Sequence, residues 1–520
     1  MAITTTKICE IWQLQPQKFA KYGNYNHNNL RNMAITATKI CEIWQFIPSI
    51  IAKYGNYNHK NLRNMAVYII FVKIIYAIMD FLKILTDQKD ELDNVNVTKL
   101  IKRKEEADIH LDSQLAQVVI GVRRCGKSTL CKKVLIESGV IFGYINFDDE
   151  RLVDLKASHF DELLQALYRI NGKITHLFLD EVQNIPRWEL FVNRMLRQGL
   201  RLIVTGSNAN LLSGELTTHL AGRYHEIKLF PFSFTEFCML KGIDTSSHST
   251  KAQALRMRAL DRYMTIGGMP EIVDGIADRD YAESLLHTIV YKDVCHRYKI
   301  RYTETIWKLA NVVLDRFCQE MLSTKLAAEL RIKSHHTVDN YLKYIADAYL
   351  ICMVNKFSWK SPDRRRTPKA YAIDLAFVAH HEGALQSEAL GWKLENIVAI
   401  ELLNRNDKKS DRLYYIKEYR NYEVDFVVVK DNRITELIQV TYDFTNPSVK
   451  QYNREVGGLI KGSEATNCDN LTLIIMQGEE RDIQVNGKIV HVRLACDWLI
   501  SASHIPGIRR EQAAREIPQL

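Results

Sequence analysis

The chain lacks the long apolar run that a membrane span needs. Its most hydrophobic stretch, Val67 to Ile78 (VYIIFVKIIYAI), is short and broken by Lys73. A span needs ~18–20 such residues. No small-residue cleavage site accompanies it, so it does not read as a signal peptide. No stable membrane association is expected. The ten cysteines are scattered, with no C-x-x-C pair and no metal-ligand spacing. That excludes a disulfide framework and suits a reducing compartment, the cytoplasm. The sixteen histidines include no H-E-x-x-H and no Cys/His cluster, which excludes the common zinc signatures. One adjacent pair, His335-His336, reads as capping or lining a helix. A strong charge of one sign is also missing from the body of the chain. The formal net charge is +9, but residues 1–78 hold nine Lys and Arg against two acids. That segment carries +7, and the rest of the chain about +2. A nucleic-acid site must then be a local patch, not a global field.

The 520 residues are too many for one domain, and three or four are expected. The 47% hydrophobic and 25% charged content are those of a soluble globular protein. Residues 1–32 and 33–64 are near copies. Met1-Ala-Ile-Thr recurs at Met33, and Lys21-Tyr-Gly-Asn-Tyr-Asn-His recurs at Lys53. Two units without a clean amphipathic period are too few to stack into a solenoid. Residues 1–78 are therefore read as translated repeat DNA outside the functional fold, with a functional start at Met79.

Gly121-Val122-Arg123-Arg124-Cys125-Gly126-Lys127-Ser128 fits G-x-x-x-x-G-K-[ST] without a mismatch. A short apolar strand, Gln117 to Ile120, precedes it, and a helical run opens at Thr129. The glycines let the loop curl so that successive N–H groups face phosphate oxygens. The helix start adds its positive dipole end. Residues Gly121 to Thr129 are thus the expected ATP cradle. Lys127 reaches the β and γ phosphates, and Ser128 ligates Mg²⁺.

A second apolar strand, Thr175 to Leu179, ends in Asp180-Glu181. Asp180 is expected to hold Mg²⁺ through water, and Glu181 to polarise the attacking water as general base. An acid pair that caps a helix looks the same, but its position after a phosphate loop favours the metal. A third strand, Arg201 to Thr205, runs into Gly206-Ser207-Asn208. Asn208 either orients the water or simply ends the strand. Arg223 is either an arginine finger, acting in cis or on a neighbouring subunit, or a surface arginine.

Alternating strands and helices from residue 79 to 237 imply an α/β P-loop NTPase core with a parallel sheet. The segment Asp80 to Leu100 reads as a helix leading into it. A helical lid is expected over 238–301, broken at Gly267-Gly268-Met269-Pro270. The run Tyr291 to Arg301 mixes charge and aromatics and reads either as a contact for nucleotide or DNA or, the favoured reading, as a salt-bridged helix face. Residues 302–357 resemble a winged helix, whose second helix would present His335, His336, Asn340 and Lys343 to a major groove. Packing without DNA contact fits the same pattern.

Residues 358–520 read as an α/β domain. A helix with Glu395 is followed by a strand with Asp425 and then a strand with Gln439 and Thr441. A helix acid, a strand Asp and a polar-x-polar strand make the layout of a metal-dependent nuclease. The E-x-K of such a site is missing. Gln439 stands in place of the acid and Thr441 in place of the lysine. Gln439 keeps a carbonyl oxygen for a metal, and Lys417 is the nearest substitute for the cation. Glu395, Asp425 and Gln439 therefore mark a vestigial nuclease site.

These stretches together resemble bacterial and archaeal AAA-type ATPases with a C-terminal domain of unknown function of restriction-endonuclease-like, PD-(D/E)xK fold. The resemblance runs from about Met79 to about Ile500. Its signatures are Gly121 to Ser128, Leu179-Asp180-Glu181, Ala221-Gly-Arg223, Gly267 to Pro270, Leu394-Glu395-Asn396 and Glu423-Val-Asp425-Phe. It implies ATP and Mg²⁺ binding, hydrolysis and a cytoplasmic location. DNA and further copies of the chain are the partners left open. Three readings follow: an ATPase that drives attached DNA-binding and nuclease-like domains, a nucleotide-dependent switch for a protein partner, and an ATP-regulated nuclease.

Overall fold

Two sheets organise the molecule. In the computed structural model the described residues are 80–207, 220, 222–358, 367–379, 381, 389–405, 410–418 and 421–501. The N-terminal repeat, the Val67 to Ile78 run, Asn208 and the basic loop at Arg364 to Arg366 lie outside them. The first sheet has five strands: β1 (Ala116–Ile120), β2 (Phe142–Asn146), β3 (His176–Asp180), β4 (Arg201–Gly206) and β5 (Tyr224–Lys228). Their order is β2-β3-β4-β1-β5, and every pair is parallel. Parallel strands are covered on both faces, so they read as unbroken apolar runs. Strands β1 and β3 are buried along their whole length. Helices α1 (Lys127–Ser138), α2 (Phe160–Asn171) and α3 (Trp188–Arg197) make the crossovers.

The helix expected to reach Leu100 ends at residue 93 instead. The Asn96 side chain accepts from Thr98 N at 3.2 Å. That local bond competes with helix propagation.

The segment after the first sheet holds α4 (Phe234–Leu240), α5 (Thr250–Ile266), α6 (Pro270–Val273) and α7 (Arg279–Thr288). The break between α5 and α6 falls at the expected Gly267-Gly268. A π-helical segment, Ile289–His296, follows α7. Then come α8 (Thr303–Asp315), α9 (Ser323–Glu329) and α10 (His335–Asp347). On α10, Val338, Leu342 and Ile345 face inward, while His335, His336, Asn340 and Lys343 are exposed.

Strands β6 (Ile351–Lys356) and β7 (Lys369–Ala372) form an antiparallel pair after α10. The expected domain boundary at 357 falls between these two strands and is corrected here. Strand β6 also pairs in parallel with β8 (Arg412–Glu418), so the hairpin belongs to the second sheet as well. That sheet adds β9 (Tyr422–Lys430), β10 (Arg433–Asp443), β11 (Leu471–Gln477), β12 (Arg481–Val485) and β13 (Lys488–Leu494). Its order is β12-β13-β11-β10-β9-β8-β6-β7. The β9–β10 turn uses Asp431 and Asn432, both with positive φ, which suits a two-residue hairpin. Helices α11 (Ala389–Arg405), α12 (Val449–Thr466) and α13 (Ala495–Ser501) pack on this sheet. Gly458 lets α12 lie close on β9, because a Cβ there would stand 2.7 Å from Glu423 O. The described residues from Leu82 onward form one compact unit.

Candidate nucleotide site and a second polar cavity

All five parallel strands of the first sheet point their C-terminal ends to one edge. The loop after β1, the acids after β3 and the end of β4 meet there, as the topology of such sheets requires. Gly126 has φ +100°, a left-handed turn that starts α1. Lys127 is 3% exposed. Its ammonium donates to Gly121 O at 3.2 Å and to Val122 O at 3.0 Å. It also lies 3.9 Å from Glu181 Oε1. Ser128 Oγ donates to Asp180 Oδ1 at 2.8 Å.

Asp180 is fixed from three sides. Besides Ser128 it takes hydrogen bonds from Thr205 Oγ1 and, at 3.3 Å, from Tyr144 OH. Burial pushes its carboxyl pKa up, against those hydrogen bonds. Thr205 Oγ1 in turn accepts from Glu181 N at 3.0 Å. One β4 hydroxyl thus positions both acids. The Glu181 carboxylate accepts from Gln183 Nε2. The surrounding cleft has a volume of about 460 Å³ and is also lined by Pro270 and Glu271 of α6 and by Asp274 just after it.

The variable loop positions act as struts. Arg123 holds Asp293 of the π-helical segment, Nε to Oδ2 at 3.0 Å, and reaches Asp148 at 3.5 Å. Lys292 closes the network on Asp148 at 2.9 Å. Hydrogen bonding and charge from Asp293 outweigh burial and raise the Arg123 pKa. The charged run after Tyr291 is therefore a salt-bridged face, and its partner is the phosphate loop. Arg124, at φ +68°, meets Glu271 at 3.0 Å. Cys125 is fully buried and donates to Leu229 O at 3.4 Å. Burial pushes its thiol pKa up, which leaves it a packing group.

Arg103, which nothing in the sequence singled out, walls the cleft. It pairs with Glu236 at 2.7 Å and donates to Phe230 O at 2.7 Å. Glu105 beside it is pushed up to about 7 by burial.

Arg223 is not at this site. Its carbonyl accepts from Ala116 N, at the start of β1. The phosphate loop follows the other end of that strand, about 16 Å away at ~3.3 Å per residue. Arg223 is exposed and donates to Asn193 Oδ1 at 3.0 Å. A contact with the nucleotide of its own chain is excluded.

A second cavity, of about 790 Å³, opens on the other sheet. Glu395 of α11 and Asp425 of β9 both line it, as their spacing suggested. Gln439 lines it too, but its Oε1 is taken by Asp425 N at 3.2 Å. The buried cation is not Lys417, which sits at the rim 3.6 Å from Glu423. It is Lys369 of β7, 3.1 Å from both Glu395 Oε1 and Glu423 Oε1 and 3.8 Å from Asp425 Oδ1. No spacing rule points to Lys369, because β7 reaches the cavity only through sheet order.

A family model described as an AAA domain matches residues 113–238. A second, described as a domain of unknown function, matches residues 257–388. The uncharacterized protein MJ1544 of Methanocaldococcus jannaschii is 33% identical over 401 residues, covering 74% of this chain and 87% of that one. The chain belongs to the same family, and its ATP-loop region is an AAA domain. An uncharacterized protein of Haemophilus influenzae is 28% identical, with 75% and 95% covered. Among solved structures, the Walker-type ATPase PABY2304 of Pyrococcus abyssi is 13% identical over 54% of this chain and 95% of its own, with a TM-score of 0.34. DnaA of Aquifex aeolicus, solved with AMPPCP, is 14% identical over 48% and 91%, with a TM-score of 0.23. In the AAA domain the matched segment holds the phosphate loop, Asp180, Glu181 and all five strands. No helix among the described residues is long and apolar enough to cross a membrane.

Proposed function

We propose that this protein binds ATP with Mg²⁺ at the edge of the parallel sheet, hydrolyses it, and uses the cycle to move its attached helical and C-terminal parts, with DNA as the target. The observation that carries this reading is the convergence of Lys127, Ser128, Asp180 and Glu181 in one cleft. A hydroxyl and a carboxylate 2.8 Å apart form a hard-oxygen donor set that fits Mg²⁺. Ser128, and Asp180 through water, would hold Mg²⁺, which would supply charge neutralisation at the phosphates. Lys127 exchanges its loop carbonyls for phosphate oxygens. Glu181 takes the proton of the attacking water, with Lys127 offsetting the negative charge that develops. Asn208, two residues beyond the end of β4 in sequence, is assigned to water orientation. Arg223, placed far from its own cleft, acts only on the nucleotide of a neighbouring copy, which makes a homo-oligomer part of the proposal. Residues 302–372 are assigned as a winged helix whose α10 meets DNA.

The test is ATP turnover by the full chain, with and without DNA. Lys127→Ala should lose nucleotide binding, and Glu181→Gln should bind ATP without turning it over. Turnover stimulated by DNA supports a nucleic-acid motor or loader. Slow turnover indifferent to DNA replaces it with a switch for a protein partner. Unaltered turnover in Glu181→Gln removes that residue as the base.

The place of Lys369 favours a second reading for the C-terminal domain, a restriction-endonuclease-like site that keeps its chemistry. Its ammonium stands beside Glu395 and Asp425, where the missing E-x-K lysine would act. Mg²⁺-dependent cleavage of DNA that is lost in Lys369→Met and Asp425→Ala would establish it. No cleavage by the unaltered chain leaves the domain without nuclease activity.

A further inference from the structure

His335, His336 and Asp339 share the solvent face of α10. A helix turns by ~100° per residue. With His335 at 0°, His336 stands at ~100° and Asp339, one turn on, at ~40°. The carboxylate therefore rises between the two imidazoles. Its spacings, four residues from His335 and three from His336, are those at which helix side chains meet. The contacts agree. The two rings lie 4.1 Å apart, centroid to centroid. His336 Nδ1 is 3.9 Å from Asp339 Oδ2. One ligand atom from each of the three residues lies within 4.8 Å of the other two. Among the described residues, no other three His, Cys, Asp or Glu side chains come together in this way. The histidine pair does not line the packed side of α10, which Val338, Leu342 and Ile345 make.

The carboxylate is already oriented. Asp339 Oδ1 accepts a hydrogen bond from Ser323 Oγ, at the start of α9. That leaves Oδ2 as the oxygen nearest His336. A ligating carboxylate held by a hydrogen bond from a neighbouring element is the usual outer shell of a metal site. Here the bond also spans the turn between α9 and α10.

We propose that His335, His336 and Asp339 bind one Zn²⁺. Two imidazole nitrogens and one carboxylate oxygen suit Zn²⁺, whereas Mg²⁺ and Ca²⁺ take oxygen ligands. In a tetrahedral site with bonds of about 2.0–2.1 Å, ligand atoms stand ~3.4 Å apart. The present spread is wider, and rotation about the χ angles of exposed side chains closes it. Three protein ligands leave a fourth position open. The exposure of the cluster turns that position to solvent, where water or an anionic oxygen fills it. Through Asp339 and Ser323 the ion fastens α9 to α10. The proposal rests neither on ATP turnover nor on DNA contact by α10.

The test is calorimetric titration of the untagged full chain with Zn²⁺, without nucleotide. Zn²⁺ should bind and should raise the Tm, since an ion that favours the folded state stabilises it. His335→Ala, His336→Ala and Asp339→Ala should each weaken that binding by about tenfold or more and abolish the rise in Tm. Ser323→Ala should weaken it by about tenfold with all three ligands in place. The three ligand positions are exposed, so the metal-free Tm should stay unchanged in these variants, which separates lost ligation from lost folding. Absence of bound Zn²⁺ overturns the proposal. So does binding that all three ligand variants leave unchanged, which places the ion on other residues.

Discussion

Arg123 of the phosphate loop is clamped to Asp293 of the π-helical segment by two hydrogen bonds, at 3.0 and 3.3 Å. Their side chains are 12% and 3% exposed, so the pair is largely shielded from water. Removing one partner of a buried pair leaves the other uncompensated, at a cost of about 3–5 kcal/mol. Asp293→Ala should destabilise the chain by about that amount and weaken ATP binding. The double variant with Arg123→Ala should lose less than the sum of the two single changes. Urea unfolding and a fluorescent ATP analogue measure both, and additive losses would count against the clamp.

Thr205 offers a separate check on the chemistry. Its hydroxyl donates to Asp180 and accepts from Glu181 N. Thr205→Val keeps the shape and removes both bonds. Supporting groups of this kind typically account for about 10–100-fold in activity. The expected result is at least a tenfold fall in kcat with ATP affinity held within about threefold. An unchanged kcat would show that the acids need no such support.

For Arg223 the prediction is a separation in space. Arg223→Ala should leave ATP affinity per chain unchanged, because its own cleft lies at the far end of β1. A loss of turnover should appear only at protein concentrations where copies associate. Loss of turnover at high dilution, in isolated chains, would contradict the placement.

Asp374 predicts a pH dependence. Burial pushes its pKa up to about 7, against hydrogen bonds from Ala376 N and Gly268 N. In the unfolded chain the group ionises near ~3.9. Between these values the folded state holds more protons, so rising pH removes stability, by at most ~1.4 kcal/mol per pH unit. Unfolding free energy should therefore fall from about pH 4 to 7 by this route. Asp374→Asn should flatten that slope. Identical slopes in the two proteins would remove Asp374 as the cause.

The same locus tests packing. A Cβ on Gly267 would stand 1.9 Å from Asp374 Oδ1, at a φ of +77°. Gly267→Ala should destabilise by more than ~1 kcal/mol. Gly275→Ala has similar backbone strain, at φ +79°, but open space around it. It should cost less, and equal Tm losses would show that the Asp374 contact is soft.

The phosphate loop could be read without a structure because its chemistry is local. Gly121 to Ser128 are contiguous, and the turn they make depends on their own backbone preferences. Strands β1, β3 and β4 stand close to the expected spans for a related reason. Parallel strands need unbroken apolar runs, and such runs are visible in sequence. Arg223 was ambiguous because a residue beside a strand carries no mark of which end of the sheet it reaches. The pairing of β6 with β7 across position 357 was not legible, because nothing local in either strand marks the other as its partner.

The sequence by itself determined the nucleotide loop, the acid pair after β3 and the alternation that builds a parallel sheet, since each rests on neighbouring residues. Tertiary structure alone decided what surrounds them. Lys369, Glu395, Asp425 and Glu455 come from β7, α11, β9 and α12, and only the order of the second sheet and the close seat of α12 bring them into one cavity. The grip of Asp293 on Arg123 likewise joins segments far apart in the chain. Charges that distant meet only after the sheets have formed, so their pairing is a property of the fold rather than of any run of residues.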